Sequence, residues 1–83
     1  MFQIKLSNRA KKDLKRLDKR FLDKVSVSID VLVANPFLGE KMSGEYAGSY
    51  RVKIPPIRII YSVDFEREII SIKTVGHRGD IYK

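Results

Sequence analysis

Between residues 49 and 75 the chain runs through three β-rich segments whose connections are too short to carry a crossover, and this limits the folds open to it more than any other feature. Residues 49–54 alternate, with Tyr50, Val52 and Ile54 on one face and Arg51 and Lys53 on the other. Pro55-Pro56 makes a turn, residues 57–63 are again β-rich, Asp64 to Glu68 makes the next turn, and residues 69–75 form the third segment. Parallel neighbours need a crossover of about a dozen residues or more, so these segments pair as an antiparallel meander.

The residues ahead of the meander supply what covers it. Phe2-Gln3-Ile4-Lys5-Leu6 alternates apolar and polar and reads as a half-buried strand. Ser7 or Asn8 then offers an N-cap. Ala10, Leu14 and Leu17 recur at helical spacing over residues 8–17, and the other face of that helix holds Arg9, Lys11, Lys12, Lys15 and Arg16. Asp18 stands where it can cap a second helix, with a stripe of Phe21, Leu22, Val25, Ile29, Leu32 and Val33. Val27 and Val31 weaken that helix because β-branched side chains lose rotamer freedom in it. Asn35-Pro36 ends it. Residues 36–48 hold Pro36, Gly39, Gly44 and Gly48 without sustained period and read as a connection, long enough to suggest a functional loop. The order β-α-α-β-β-β predicts an α+β domain over residues 1–83, a two-helix hairpin packed on a small, largely antiparallel sheet.

Composition excludes several chemistries. The chain lacks cysteine and has a single histidine, so thiolate nucleophiles, sulfur-based zinc sites and multi-histidine metal sites are out. No cofactor-binding motif is visible: the glycines have neither phosphate-loop nor dinucleotide spacing. Ser7, Ser43, Ser49 and Ser71 lack the elbow motif of a hydrolase triad. No leader-like stretch or membrane span occurs, so the expected location is cytoplasmic, without a membrane partner. A net charge of +7 instead points to a polyanion.

The cations are concentrated where chemistry could use them. With Pro55-Pro56 as a two-residue turn, Ile54 faces Ile57 and Lys53 faces Arg58, and like charges directly opposite on a sheet repel. Arg51 shares the face of Lys53. No acidic residue occurs between Tyr46 and Val63, nor between Ile69 and Gly79, a stretch holding Lys73, His77 and Arg78. Gly79-Asp80-Ile81-Tyr82 follow, ahead of Lys83. Cations can also serve merely to keep a solvated sheet from aggregating. A self-repelling cluster, however, fits a site awaiting an anion. Scission of a phosphodiester by its neighbouring 2′-hydroxyl needs no metal; it needs alignment, charge stabilisation and proton transfer. Arginine clamps phosphate oxygens, and an amine crowded by cations gives up its proton more readily, as for Lys53 between Arg51 and Arg58. His77 can exchange protons, and Tyr82 can stack on a base.

The stretches "SNRAKKDLKRL", "NPFLGEKMSGEYAGSYRVKIPPIRIIYSV" and "VGHRGDIYK" together resemble the RelE/ParE superfamily of bacterial and archaeal toxins over essentially the whole chain. The resemblance implies a compact α+β fold and a RelB-like antitoxin that wraps the toxin in a hetero-oligomer. In the RelE branch it implies ribosome-dependent, metal-independent cleavage of A-site mRNA through the 2′-hydroxyl. On that pattern Arg51, Lys53, Arg58, Arg78 and Tyr82 are the catalytic set, and Lys11, Lys12, Lys15, Arg16 and Lys73 hold RNA. His77 stands where one RelE branch carries lysine. Glu40 lies at a comparable place to the glutamate base of the YoeB branch, beside its plainer reading as a surface residue. Arg51 replaces a lysine of the family, and the spacings Lys53 to Arg58 and Arg78 to Tyr82 are shorter than in the best-studied enzyme. A ParE-type gyrase inhibitor and a catalytically degenerate antitoxin-binding relative are the alternatives.

Overall fold

The computed structural model describes residues 1–77. Its elements are β1 (Gln3–Leu6), α1 (Asn8–Arg16), α2 (Lys19–Ala34), β2 (Glu40–Lys41), a 3-10 turn (Gly44–Tyr46), β3 (Tyr50–Ile54), β4 (Ile57–Asp64) and β5 (Ile69–His77). The strands form one five-stranded sheet in the order β1-β5-β4-β3-β2. Only the β1–β5 pairing is parallel; the other three are antiparallel. The α+β fold, with a helix pair on a largely antiparallel sheet, is as expected.

Local chemistry sets the boundaries. Ser7 caps α1, its hydroxyl accepting from the Ala10 amide at 3.0 Å and donating to the Lys73 carbonyl at 2.7 Å. Asp18 occupies the N-cap position of α2, yet its carboxylate makes no capping bond and lies 3.7 Å from Arg20 instead. Asn35 ends α2, and its side chain accepts from the Phe37 amide at 3.2 Å.

Ala10 from α1 and Val25 and Leu32 from α2 press onto Ile57, Ile59, Tyr61, Ile70, Ile72 and Val75 of the sheet, all essentially inaccessible to solvent. Burial of each large aliphatic side chain stabilises the fold by about 1.5–3 kcal/mol. Tyr50, Val52 and Ile54 pack against the same core. That commits Arg51 and Lys53 to the opposite face by the two-residue alternation of a strand.

Two features depart from the expected layout. The connection after α2 is not featureless: Glu40 and Lys41 pair with Arg51 and Tyr50, and the Met42 amide extends the ladder to the Ser49 carbonyl at 3.0 Å. In addition, β5 runs two residues beyond the expected end and carries a bulge, where Ile72 pairs with Tyr61 but Thr74 pairs with Ile60. The extra residue, Lys73, changes the phase of the strand, so that Ile70 and Ile72 before it and Val75 after it all reach the core.

Beyond Leu6, β1 no longer covers β5. There Asp13 of α1 takes over, accepting from the Val75 amide at 3.1 Å and the Thr74 hydroxyl at 2.8 Å. A helix carboxylate thus satisfies an amide that a neighbouring strand would otherwise bond.

Candidate functional site

The face of the sheet turned away from the helices carries the central cations. The β3–β4 register pairs Lys53 with Arg58 and Ile54 with Ile57, so the two like charges stand directly opposite, as expected for the Pro55-Pro56 turn. Arg51 pairs with Ile60 two residues further along. Since Ile57, Ile59 and Tyr61 face the helices, Arg58 projects with Arg51 and Lys53 on the other side.

The short strand β2 brings an acid to this cluster. Arg51 Nη2 donates to Glu40 Oε2 at 2.9 Å. That hydrogen bond first, then the positive charges of Lys53, Arg51 and Arg58, hold the Glu40 carboxyl below its ordinary value against a small opposing cost of burial. Glu40 therefore lies within the field of all three cations. The expectation that no carboxylate neutralises them holds along the meander itself but fails across strands. A carboxylate so stabilised in its charged form is a weaker proton acceptor than a free one. Its geometry is that of an anion already seated on Arg51.

Glu40 is placed by a group that sequence reasoning missed. Tyr61 is fully buried, and its hydroxyl donates to the Pro36 carbonyl at 2.9 Å and accepts from the Gly39 amide at 2.9 Å. Burial raises the phenol above its ordinary pKa, partly countered by the Gly39 amide, which keeps it a donor. A Cβ on Gly39 would stand 2.6 Å from the Tyr61 hydroxyl and 3.0 Å from the Arg51 carbonyl, so only glycine lets the loop approach this closely. A polar tip within the apolar run Ile59-Ile60-Tyr61 was the available signal.

The end of β5 distributes the remaining candidates. Gly76 pairs with Arg58, whereas His77 pairs with Ile57 and its ring meets Phe21 of α2 edge-on, centroids 5.9 Å apart. The imidazole thus packs toward the helices, away from the face of Arg51, Lys53 and Arg58. There it joins Arg9, Lys12, Asp13, Arg16 and Gly76 around an open groove of about 540 Å³. Lys11 and Lys15 are exposed on α1 and do not line that groove. Lys73 Nζ donates to the hydroxyl of the buried Ser49 at 2.8 Å, so its ammonium already has a structural partner. Arg78 and Tyr82 lie outside the described residues.

The chain is similar in sequence and in fold to known proteins. A family model described as the ParE toxin of the type II toxin–antitoxin system parDE matches residues 4–82. The putative toxin RelE1 of Methanocaldococcus jannaschii is 35% identical over 86 residues, covering 99% of this chain and 96% of that protein. Toxin RelG of Mycobacterium tuberculosis is 29% identical over 84 residues, covering 99% of this chain and 97% of the relative. Among solved structures, the toxin–antitoxin complex RelBE2 of Mycobacterium tuberculosis superimposes with a TM-score of 0.85 at 26% identity, covering 93% of this chain and 98% of that one.

Proposed function

The chain belongs to the RelE/ParE superfamily of type II toxin–antitoxin toxins, and from that premise we propose that it is a ribosome-dependent mRNA endonuclease that arrests translation. The observation that carries the proposal is the face formed by Arg51, Lys53 and Arg58, three cations gathered where the strand register makes them repel. Their mutual repulsion is offset in part by Glu40 on Arg51 and is offset further when a phosphate arrives.

The reaction is attack of a ribose 2′-oxygen on the adjacent phosphorus. A P–O2′ bond forms, the P–O5′ bond breaks, and the 2′-hydroxyl proton is removed while the departing 5′-oxygen gains one. The products are a 2′,3′-cyclic phosphate and a 5′-hydroxyl, and the step needs no metal. Arg58 and Arg78 stabilise the charge that builds on the phosphoryl oxygens. Lys53 transfers a proton, Arg51 assists by orienting a phosphate oxygen, and Tyr82 stacks on a base. Glu40 vacates Arg51 as the phosphate enters. The groove with Lys12 and Arg16, and the exposed Lys11 and Lys15 beside it, hold ribosomal RNA, and Lys73 contributes from β5. A RelB-like antitoxin, the kind of partner held by the toxin in the similar RelBE2 complex, masks this surface in a hetero-oligomer.

The match to the ParE model favours a second reading, inhibition of DNA gyrase. Two assays separate them. We expect supercoiling by purified gyrase to proceed normally with the protein present, while translated messages acquire discrete cuts. Blocked supercoiling with intact messages would overturn the nuclease reading in favour of the second.

A further inference from the structure

Three phenylalanines from distant parts of the chain meet on the surface. Phe37, just after α2, stacks on Phe65 of the β4–β5 turn with centroids 5.0 Å apart and planes 19° from parallel. Phe2, ahead of β1, meets Phe65 edge-on at 6.0 Å. Folding orders these rings without hiding them: Phe37 and Phe65 remain 65% and 46% exposed, and Leu38 46%. Single exposed apolar residues are ordinary, whereas a contiguous, pre-ordered aromatic group marks an interaction surface. Aromatic anchors of this kind carry much of the energy of interfaces.

Position and charge define the occupant. Strand β4 runs from Ile57, beside the cations, to Asp64, next to Phe65. At about 3.3 Å per residue this puts roughly 15–25 Å between the aromatic cluster and the cations, with Arg51, opposite Ile60, the nearer. The turn around Phe65 carries Asp64, Glu66 and Glu68, of which Asp64 lies 3.9 Å from Arg67 and Glu68 2.7 Å from the N-terminal ammonium, so this end keeps a slight excess of acid in a chain of net charge +7. A partner covering both ends therefore needs an acidic segment for Arg51, Lys53 and Arg58, and an apolar segment flanked by Lys or Arg for the rings.

We propose that Phe2, Phe37, Leu38 and Phe65 form an anchoring site for the antitoxin, which docks an apolar, basically flanked segment there and thereby tethers an acidic segment over the cation face. The inference rests on the toxin reading above. Tethering makes the second contact intramolecular and raises its effective concentration. The two contacts differ in salt response: exposed charge pairs weaken as salt rises, and apolar burial does not. Affinity that survives high salt therefore resides at the rings.

The test co-expresses the chain with the protein encoded in the adjacent reading frame and measures their binding at low and high salt, for wild type, Phe37→Ser and Phe37→Ser/Phe65→Ser. Melting curves confirm folding; the largely exposed Phe37 makes the single variant the safer one. Expected is weakening of about tenfold or more in the double variant, with the salt dependence of the remaining affinity unchanged and growth arrest by the toxin alone retained. Unchanged affinity at every salt would overturn the proposal. So would rings that matter only for self-association of the toxin in sedimentation runs. A wild-type toxin that arrests growth but binds no adjacent-frame product would remove the anchoring site and leave the toxin reading standing. Absence of growth arrest in wild type would count against the toxin reading itself.

Discussion

Removing one oxygen from Tyr61 tests how the loop before β2 is held. In Tyr61→Phe the Pro36 carbonyl and the Gly39 amide lose their shared partner, each now 2.9 Å from the phenol oxygen. A buried polar group left unsatisfied costs about 1–3 kcal/mol. Pro36 is buried but Gly39 only half-buried, so water can reach the amide, and the sum is about 2–3 kcal/mol. For a chain of this size that lowers the melting temperature by about 10–20 °C. In urea the midpoint falls while the slope is unchanged, because the folded state stays as compact. Gly39→Ala sharpens the test. Its Cβ would lie 2.6 Å from the hydroxyl but also 2.9 Å from Tyr61 Cε1, so part of its strain disappears when the hydroxyl is absent. The two substitutions together should cost less than the sum of their separate effects by more than the roughly 0.5 kcal/mol expected of independent sites. Strict additivity, or a Tyr61→Phe variant as stable as wild type, would refute the phenol's role in seating Glu40.

Other outcomes follow from the same contacts. Glu40→Gln removes the carboxylate that sits on Arg51, so binding of the free protein to a short RNA should tighten and become more salt-sensitive in titrations at fixed pH. Because the folded pKa of Glu40 is depressed, its pairing stabilises wild type fully above the ordinary value of 4.5 and is lost as pH falls through the lower folded value. The stability difference from Glu40→Gln should therefore vanish in acid unfolding series and stay constant at neutral pH. Asp13→Ala strips the acceptor from Thr74 and Val75 and should cost about 1.5–3 kcal/mol in chemical unfolding, with early amide exchange at Val75. Protection of that amide equal to wild type would refute the edge-capping role.

How much of this was legible depended on how far along the chain each contact reaches. The meander was readable because alternation and the Pro55-Pro56 turn are local, and that turn alone set Lys53 opposite Arg58. The two helices were readable from their apolar stripes and from Ser7. Glu40 was not placed, because its strand of two residues has no period of its own and forms only by pairing with Arg51 and Tyr50. Tyr61 reads as one more apolar strand residue until its partners, 22 and 25 positions earlier, are brought to it. His77 illustrates a change of phase. Continued from Ile70 and Ile72, alternation would bring Thr74 and Gly76 to the helices. The bulge at Lys73 transfers that side to Val75 and His77, so the imidazole meets Phe21 instead of the cations. Nothing local marks the bulge, which arises from pairing with β4 while β1 ends and α1 takes over the edge.

In the proposed reaction the Arg51–Lys53–Arg58 face cleaves translated message. Primer extension on a reporter mRNA in a purified translation system puts this to the test, comparing wild type with a folded Arg58→Ala variant and with naked mRNA. Discrete cuts in A-site codons that require the ribosome and vanish with Arg58→Ala are expected. Intact mRNA from folded wild-type protein, or cuts undiminished by Arg58→Ala, would overturn the nuclease reading.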